Sequence, residues 1–316
     1  MNAENVANQQ KVVLQERAEG YAEPNGRDWD VMSRLIYPTD HPYHNPVIGT
    51  VKDVQGFEVP AVNAFWKAHY TPKNAVLVLV GNITPAAALD SVRLWFSDVP
   101  APLEHTHRSI VPAPSKVTGR AAVVEDDVET RTAYWVWPTV EDRHPDAAAL
   151  DILSSVLSGG HGTRLDDALY YDRALASDVG AFVYPQEIAG NFMIHASSPT
   201  VSLARLQKGV MAVLDGLVKS PVTGEEVNRA RAAIRATILD GLEAPEDVAE
   251  RVADCWRLTG RANCVGNDWS RYQAVTPADV QRVATQYIVG VAPNTISNIP
   301  RGDAGALPNA IVVELP

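Results

Sequence analysis

Cysteine is almost missing: Cys255 and Cys264 are the two in 316 residues. That excludes a disulfide framework as the organising principle, while a single bond between these two stays open. Their spacing fits no two-cysteine zinc pattern either. Basic residues are also short, with 27 Lys and Arg against 38 Asp and Glu and a net charge of −11. Such a balance argues against a nucleic-acid backbone or an anionic membrane as partner. No run of 18 apolar residues exists, so no membrane span is expected. The opening MNAENVANQQ has neither a basic nor an apolar leader region and is no signal peptide. These absences favour a cytosolic chain as given, and a periplasmic one stays open if Met1 is not the natural start. What is present is ordinary: 46% hydrophobic and 21% charged residues, enough for a core, over a length suited to about two domains.

Local signals punctuate the chain. Good helix formers run over 4–19, Gly20 is a plausible stop, and Glu23-Pro24-Asn25-Gly26 reads as a turn. Trp29, Met32 and Ile36 share a helical face that Pro38 ends, and 38–50 is an irregular, Pro-rich loop. A helix is expected over 60–70, then a buried central strand over the uninterrupted apolar run Ala75–Val80. Thr84-Pro85 opens a helix to Phe96. Prolines 100, 102, 112 and 114 mark 101–117 as a linker between domains at 1–100 and 118–316. Beyond it, 120–124 and 130–137 read as a strand pair around a hairpin tip at Glu125-Asp126-Asp127. A helix over 146–157 stops at Gly159-Gly160. Two further strands follow at 178–184 and 191–197, then helices at 201–218, from the Thr223-x-x-Glu226 capping box, at 246–259 and from Thr276-Pro277. A strand is expected after Pro293. Trp135 and Trp137 alternate on their strand and read as core.

Two stretches look alike. Pro60 leads Tyr70 by ten and precedes Pro72-Lys73-Asn74 and an apolar run; Pro277 leads Tyr287 by ten and precedes Pro293-Asn294. Read as a duplication with an offset of 277 − 60 = 217, the counterpart of Arg120 would fall at 120 − 217 = −97. The first copy would then lack roughly its first hundred residues and hold little sheet.

The chain resembles the pitrilysin/insulinase metallopeptidases, the M16 family. The resemblance rests on Asn8-Gln-Gln-Lys-Val-Val-Leu-Gln-Glu-Arg17 with Pro24-Asn25-Gly26, on His41-Pro-Tyr-His-Asn-Pro-Val-Ile-Gly49, and on Tyr70 to Asn82. In the second half it rests on Leu157 to Leu165 and Arg173 to Val179. It implies an α+β fold of duplicated domains, antiparallel sheets with helices packed on one face, and a truncated first domain. The family site is H-x-x-E-H on one helix plus a glutamate about 75 residues later. Two histidines one turn apart bind one Zn²⁺, the intervening Glu acts as base on a zinc-bound water of pKa about 7, and the distal Glu closes the protein ligand set.

Glu16 matches that distal glutamate and is the one metal ligand the resemblance assigns; no catalytic or cofactor-binding residue is assigned. Neither H-x-x-E-H nor H-E-x-x-H occurs in the 316 residues. Gln9 stands where many members carry another Glu. Tyr170 and Ser177 stand where some members carry a substrate-clamping Arg and Tyr, and neither fits. The resemblance therefore implies a zinc metalloendopeptidase subunit, acting on peptides or unfolded polypeptides, that is inactive and does not retain Zn²⁺ as this chain. The alternative is a non-catalytic partner in a homo- or hetero-dimer with another M16-like chain. His41 and His44 read as loop packing, His105 and His107 as solvated linker, and Gly159-Gly160-His161-Gly162 lacks the ending of a phosphate loop.

Overall fold

Helices α1 (Ala3–Ala22), α2 (Asp28–Ile36), α3 (Val51–Gly56), α4 (Val59–His69) and α5 (Pro85–Phe96) precede the first strand in the computed structural model, which describes residues 1–100 and 118–313. Next come β1 (Ala121–Asp126), β2 (Arg131–Thr139), α6 (Ala147–Leu157), β3 (Asp178–Pro185), β4 (Gly190–Ser198) and α7 (Leu203–Lys219). Then follow α8 (Gly224–Asp240), α9 (Pro245–Thr259), α10 (Val265–Ala274), α11 (Pro277–Val283), β5 (Asn294–Pro300) and β6 (Ile311–Val312). No described helix is long and apolar enough to cross a membrane. The linker reading and the pair His105/His107 lie outside the described residues.

Helix ends follow local chemistry. Thr84 accepts from the Ala87 amide at 3.3 Å to cap α5. Thr223 and Glu226 exchange bonds at 2.8 and 3.2 Å to open α8, and Thr276 and Asp279 do the same for α11. Gly260, at φ 68°, ends α9 in the left-handed region. Gly20 does not stop α1. The helix runs on to Ala22, because a helical glycine costs only about 1 kcal/mol, and Pro24 with left-handed Asn25 ends it instead. The turn then folds back so closely that a Cβ on Gly26 would strike the Gly20 carbonyl oxygen.

The described residues fall into two units interleaved along the chain: 1–9, 57–100 and 232–273 in one, 10–56, 118–231 and 274–313 in the other. The second unit holds a six-stranded mixed sheet in the order β3-β4-β2-β5-β1-β6. The pairs β3/β4, β4/β2 and β2/β5 are antiparallel; β5/β1 and β1/β6 are parallel. The expected hairpin of β1 and β2 does not form, since β5 inserts between them and takes a ladder from each. Glu125-Asp126-Asp127 is accordingly no hairpin tip: Asp126 is the buried last residue of β1, paired with Arg27 at 3.1 Å.

Strand alternation gives this sheet two apolar faces. Val136, Met193, Ile296, Ala122 and Val124 pack with Val31, Met32, Leu35 and Ile36 of α2. The alternate residues Trp135, Trp137, Phe192 and Ile194 are fully buried, and α6 and α7 pack on β2, β3 and β4. Both tryptophans are core, as their alternation predicts. The Trp137 indole donates to the Val291 carbonyl at 2.9 Å.

The other unit is helical. A disulfide joins Cys255 of α9 to Cys264, and Asp268 of α10 accepts from Arg251 at 2.6 Å beside it. Neither α4 nor α5 buries a residue. The run Ala75–Val80, expected as a buried central strand, is not a strand: Val76, Leu77, Leu79 and Val80 are 40–53% exposed. A strand exists only where a neighbour takes its N–H and C=O groups. Every strand among the described residues belongs to the other unit.

Two glycines should respond oppositely to a methyl group. Gly26→Ala forces backbone against backbone and should cost about 1–3 kcal/mol. Gly216 lies inside α7 with nothing within 4 Å of a built Cβ, so Gly216→Ala should stabilise by about 0.5–1 kcal/mol. Urea unfolding of both variants measures the difference.

Candidate functional site

Helix α1 carries Glu16 to an exposed position, not onto a buried face. Its neighbour Arg17 is the one turned inward: it is buried like Val6 of the same helix, donates to the Gly49 carbonyl at 3.3 Å and lies 4.0 Å over the Tyr21 ring. Gln9, two turns earlier, is exposed as well. A zinc ion needs three or four donors converging on one point. Among the described residues, the one group of three His, Cys, Asp or Glu donors close enough for that is Cys255, Cys264 and Asp268, and its two sulfurs are joined to each other. Glu16 belongs to no such group. The residues present do not fit the family's zinc centre, so no hydrolytic step is assigned to them.

The other sequence candidates resolve plainly. His41 and His44 are buried and serve the loop: Nδ1 of His41 accepts from the Tyr43 amide at 3.1 Å, and Nδ1 of His44 meets the Tyr37 carbonyl at 2.8 Å. His41 also stacks on Tyr37 with centroids 4.7 Å apart. Gly159 to Gly162 follows a helix, as no phosphate loop does, and Asp167 occupies the Gly162 amide at 2.9 Å. Tyr170 is exposed against Tyr171, while Ser177 donates to the Ser197 carbonyl. Nothing brings Glu16 together with any of them.

Strand register assembles a group that sequence reasoning missed. One row across the sheet runs Asp178, Ser197, Thr132, Asn298; the next runs Gly180, His195, Tyr134, Ile296. Thr132, Tyr134, Asp178, His195 and Ser197 of these rows, with Asp28 and Trp29 of α2, line an open cavity of about 340 Å³. The His195 ring lies over Gly180, where a Cβ would collide with it, and its Nε2 is 2.9 Å from an Asp178 carboxylate oxygen. Asp28 is 3% exposed; its Oδ1 accepts from Asn298 at 2.8 Å, and the Tyr134 hydroxyl is a further hydrogen-bond partner of the carboxylate. Burial, helped by the charge of Asp126, pushes the Asp28 carboxyl up to about 6 against the Asn298 bond, Arg27 and the Tyr134 bond. Burial, then the Asp28 and Asp178 charges, lifts the Tyr134 hydroxyl to about 12. Alternation on β4 could have placed His195 and Ser197 on one face. Which residues stand beside them depends on pairings remote in sequence.

A sequence profile described as the peptidase M16 inactive domain matches residues 57–234, more than half of the chain. The chain belongs to the M16 peptidase family. It is similar to the zinc protease PqqE of Helicobacter pylori, 26% identical over 265 residues that cover 81% of this chain and 58% of that protein. It is 24% identical over 288 residues to an uncharacterized zinc protease of Streptomyces coelicolor, SCO5738, covering 89% of this chain and 62% of the relative. The chain thus spans about three-fifths of the length of these curated relatives. In fold it matches the crystal structure of a protease from Helicobacter pylori, with a TM-score of 0.82 at 24% identity over 95% of this chain and 73% of that one. It also matches a peptidase M16 inactive domain from Pseudomonas fluorescens, with a TM-score of 0.78 at 19% identity over 99% and 73%. The α+β, M16-like fold stands, with one mixed sheet in the place of antiparallel ones.

Asp28 generates a pH prediction. The carboxyl titrates near 6 folded and near 3.8 unfolded. Above pH 6 both states are ionised, and the folded one bears the cost of a buried charge. Below 3.8 neither is charged and the cost is gone. Asp28→Asn should therefore stabilise the protein at pH 7.5 by about 2–3 kcal/mol, the gap closing as pH falls from 6 to 4. Denaturant midpoints across that range check it.

Proposed function

We propose that this chain derives from an M16 zinc metalloendopeptidase subunit and does not cleave peptides by itself. The isolation of Glu16 carries the reading: it matches the family's distal metal glutamate, yet among the described residues no converging donor accompanies it, and the 316-residue sequence has no H-x-x-E-H. The names of its relatives support zinc and proteolysis at the family level. The unpaired run Ala75–Val80 supports the same reading. Its counterpart under the 217-residue repeat is β5, which sits between β1 and β2. Ala75–Val80 has no such flanking strands among the described residues. On this reading residues 1–100 are the rear of a catalytic domain, 101–117 a linker and 118–316 a second domain.

A second reading has a specific observation behind it. Phe65, Trp66, Tyr70, Leu94, Trp95 and Phe96 are 54–76% exposed in one unit. Apolar exposure of that kind marks surfaces that another chain covers. It favours a non-catalytic subunit that pairs with an M16-like chain, of its own kind or another, whose assembled form takes peptides or unfolded polypeptides.

Metal analysis of the purified chain after zinc loading and dialysis should find far less than one zinc per chain. Incubation with an unfolded polypeptide should give no fragments, and Glu16→Gln should change neither result. One tightly held zinc per chain, lost in Glu16→Gln, overturns the first reading. A strict monomer in sedimentation that binds no M16-like chain counts against the second.

A further inference from the structure

The cavity beneath α2 plays no part in the peptidase reading, and its chemistry stands apart from zinc. Asp28, Asp178, His195 and Tyr134 are its titratable groups, and Trp29 and Phe182 give it aromatic wall. Neither lysine nor arginine lines it. The nearby Arg27 is committed elsewhere, to Asp126 at 3.1 Å and to the Glu125 carbonyl. Asp28 is almost wholly buried, and its hydrogen-bond partners within the chain are the neutral donors Asn298 and Tyr134. A buried carboxylate bonded by neutral donors is weakly screened, so a cation entering the cavity gains more from its charge than it would beside an exposed carboxylate.

The cavity is built and open. Gly180 clears the space that the His195 ring fills, and Asp178 holds that ring by Nε2. The Asp178 side chain is 64% exposed and Trp29 47%, which leaves a mouth to solvent. The volume of about 340 Å³ lies within the range of small-ligand sites. Asp28, Asp178 and His195 do not converge as metal donors, so a bare divalent ion is a poor occupant. An organic cation is a good one: its charge faces the two carboxylates, and its stem lies along aromatic faces that themselves attract cations.

We propose that this cavity binds one organic cation of the size of a lysine or arginine side chain, with Asp28 as its principal counter-charge. The proposal stands whether or not the peptidase reading does. The test titrates the full chain at pH 7.5 with N-acetyl-lysine methylamide and N-acetyl-arginine methylamide, and with N-acetyl-norleucine methylamide as the uncharged isostere. Calorimetry reads affinity, and NMR reads the His195 ring protons. At least one cationic amide should bind tenfold or more tightly than the norleucine amide and shift the His195 signals. Asp28→Asn should weaken that cation tenfold or more and leave the norleucine amide unchanged. This variant is expected to be more stable than the parent at that pH, and its unfolding curve separates lost binding from lost fold. Equal binding of the neutral isostere, undiminished binding by Asp28→Asn, unmoved His195 signals, or no binding of either cation at millimolar concentration each overturns the proposal.

Discussion

An extended backbone must place its N–H and C=O groups on a neighbour, and this demand orders the molecule. β5 meets it on both sides, antiparallel to β2 and parallel to β1. By coming between two strands that are adjacent in sequence, it replaces a local hairpin with a long-range ladder and sets the order of the sheet. Ala75–Val80 has an equally good strand composition and no such neighbour among the described residues, so its apolar side chains stay exposed. The same rule separates a finished sheet from a lone apolar segment.

Register then decides the chemistry. Once β4 lies between β3 and β2, Ser197 stands between Asp178 and Thr132, and His195 between Gly180 and Tyr134. A glycine in that row is what lets an imidazole lie flat across β3. α2, packed by Val31, Met32, Leu35 and Ile36 on the same face, brings Asp28 under cover, where its carboxylate is poorly hydrated and bonded by the neutral donors Asn298 and Tyr134. The charged cavity is thus a by-product of packing one amphipathic helix across one sheet face. Glu16 on α1, the proposed metal position, has no comparable setting: it is exposed, and its neighbour Arg17 is buried.

Local signals are legible because their causes are local. The Thr84, Thr223 and Thr276 caps each bond within three residues. Proline fixes its own φ, and the strands β2 to β5 show in their apolar, β-branched residues. Gly20 misled because a helix stop depends on the residues beyond it, here Pro24 and Asn25. The acidic triplet misled because proximity in sequence favours a hairpin, while Arg27 and β5 come from far away.

The amino-acid order alone determined the kinds of element, most of their ends and the M16 family. Those properties rest on short-range sterics, capping bonds and side-chain periodicity. Only the tertiary structure decided that β5 separates β1 from β2, that Ala75–Val80 is no strand, and that Asp28, Tyr134, Asp178 and His195 share one cavity. Each of these depends on hydrogen bonds and burial between segments distant in sequence, which no local window contains.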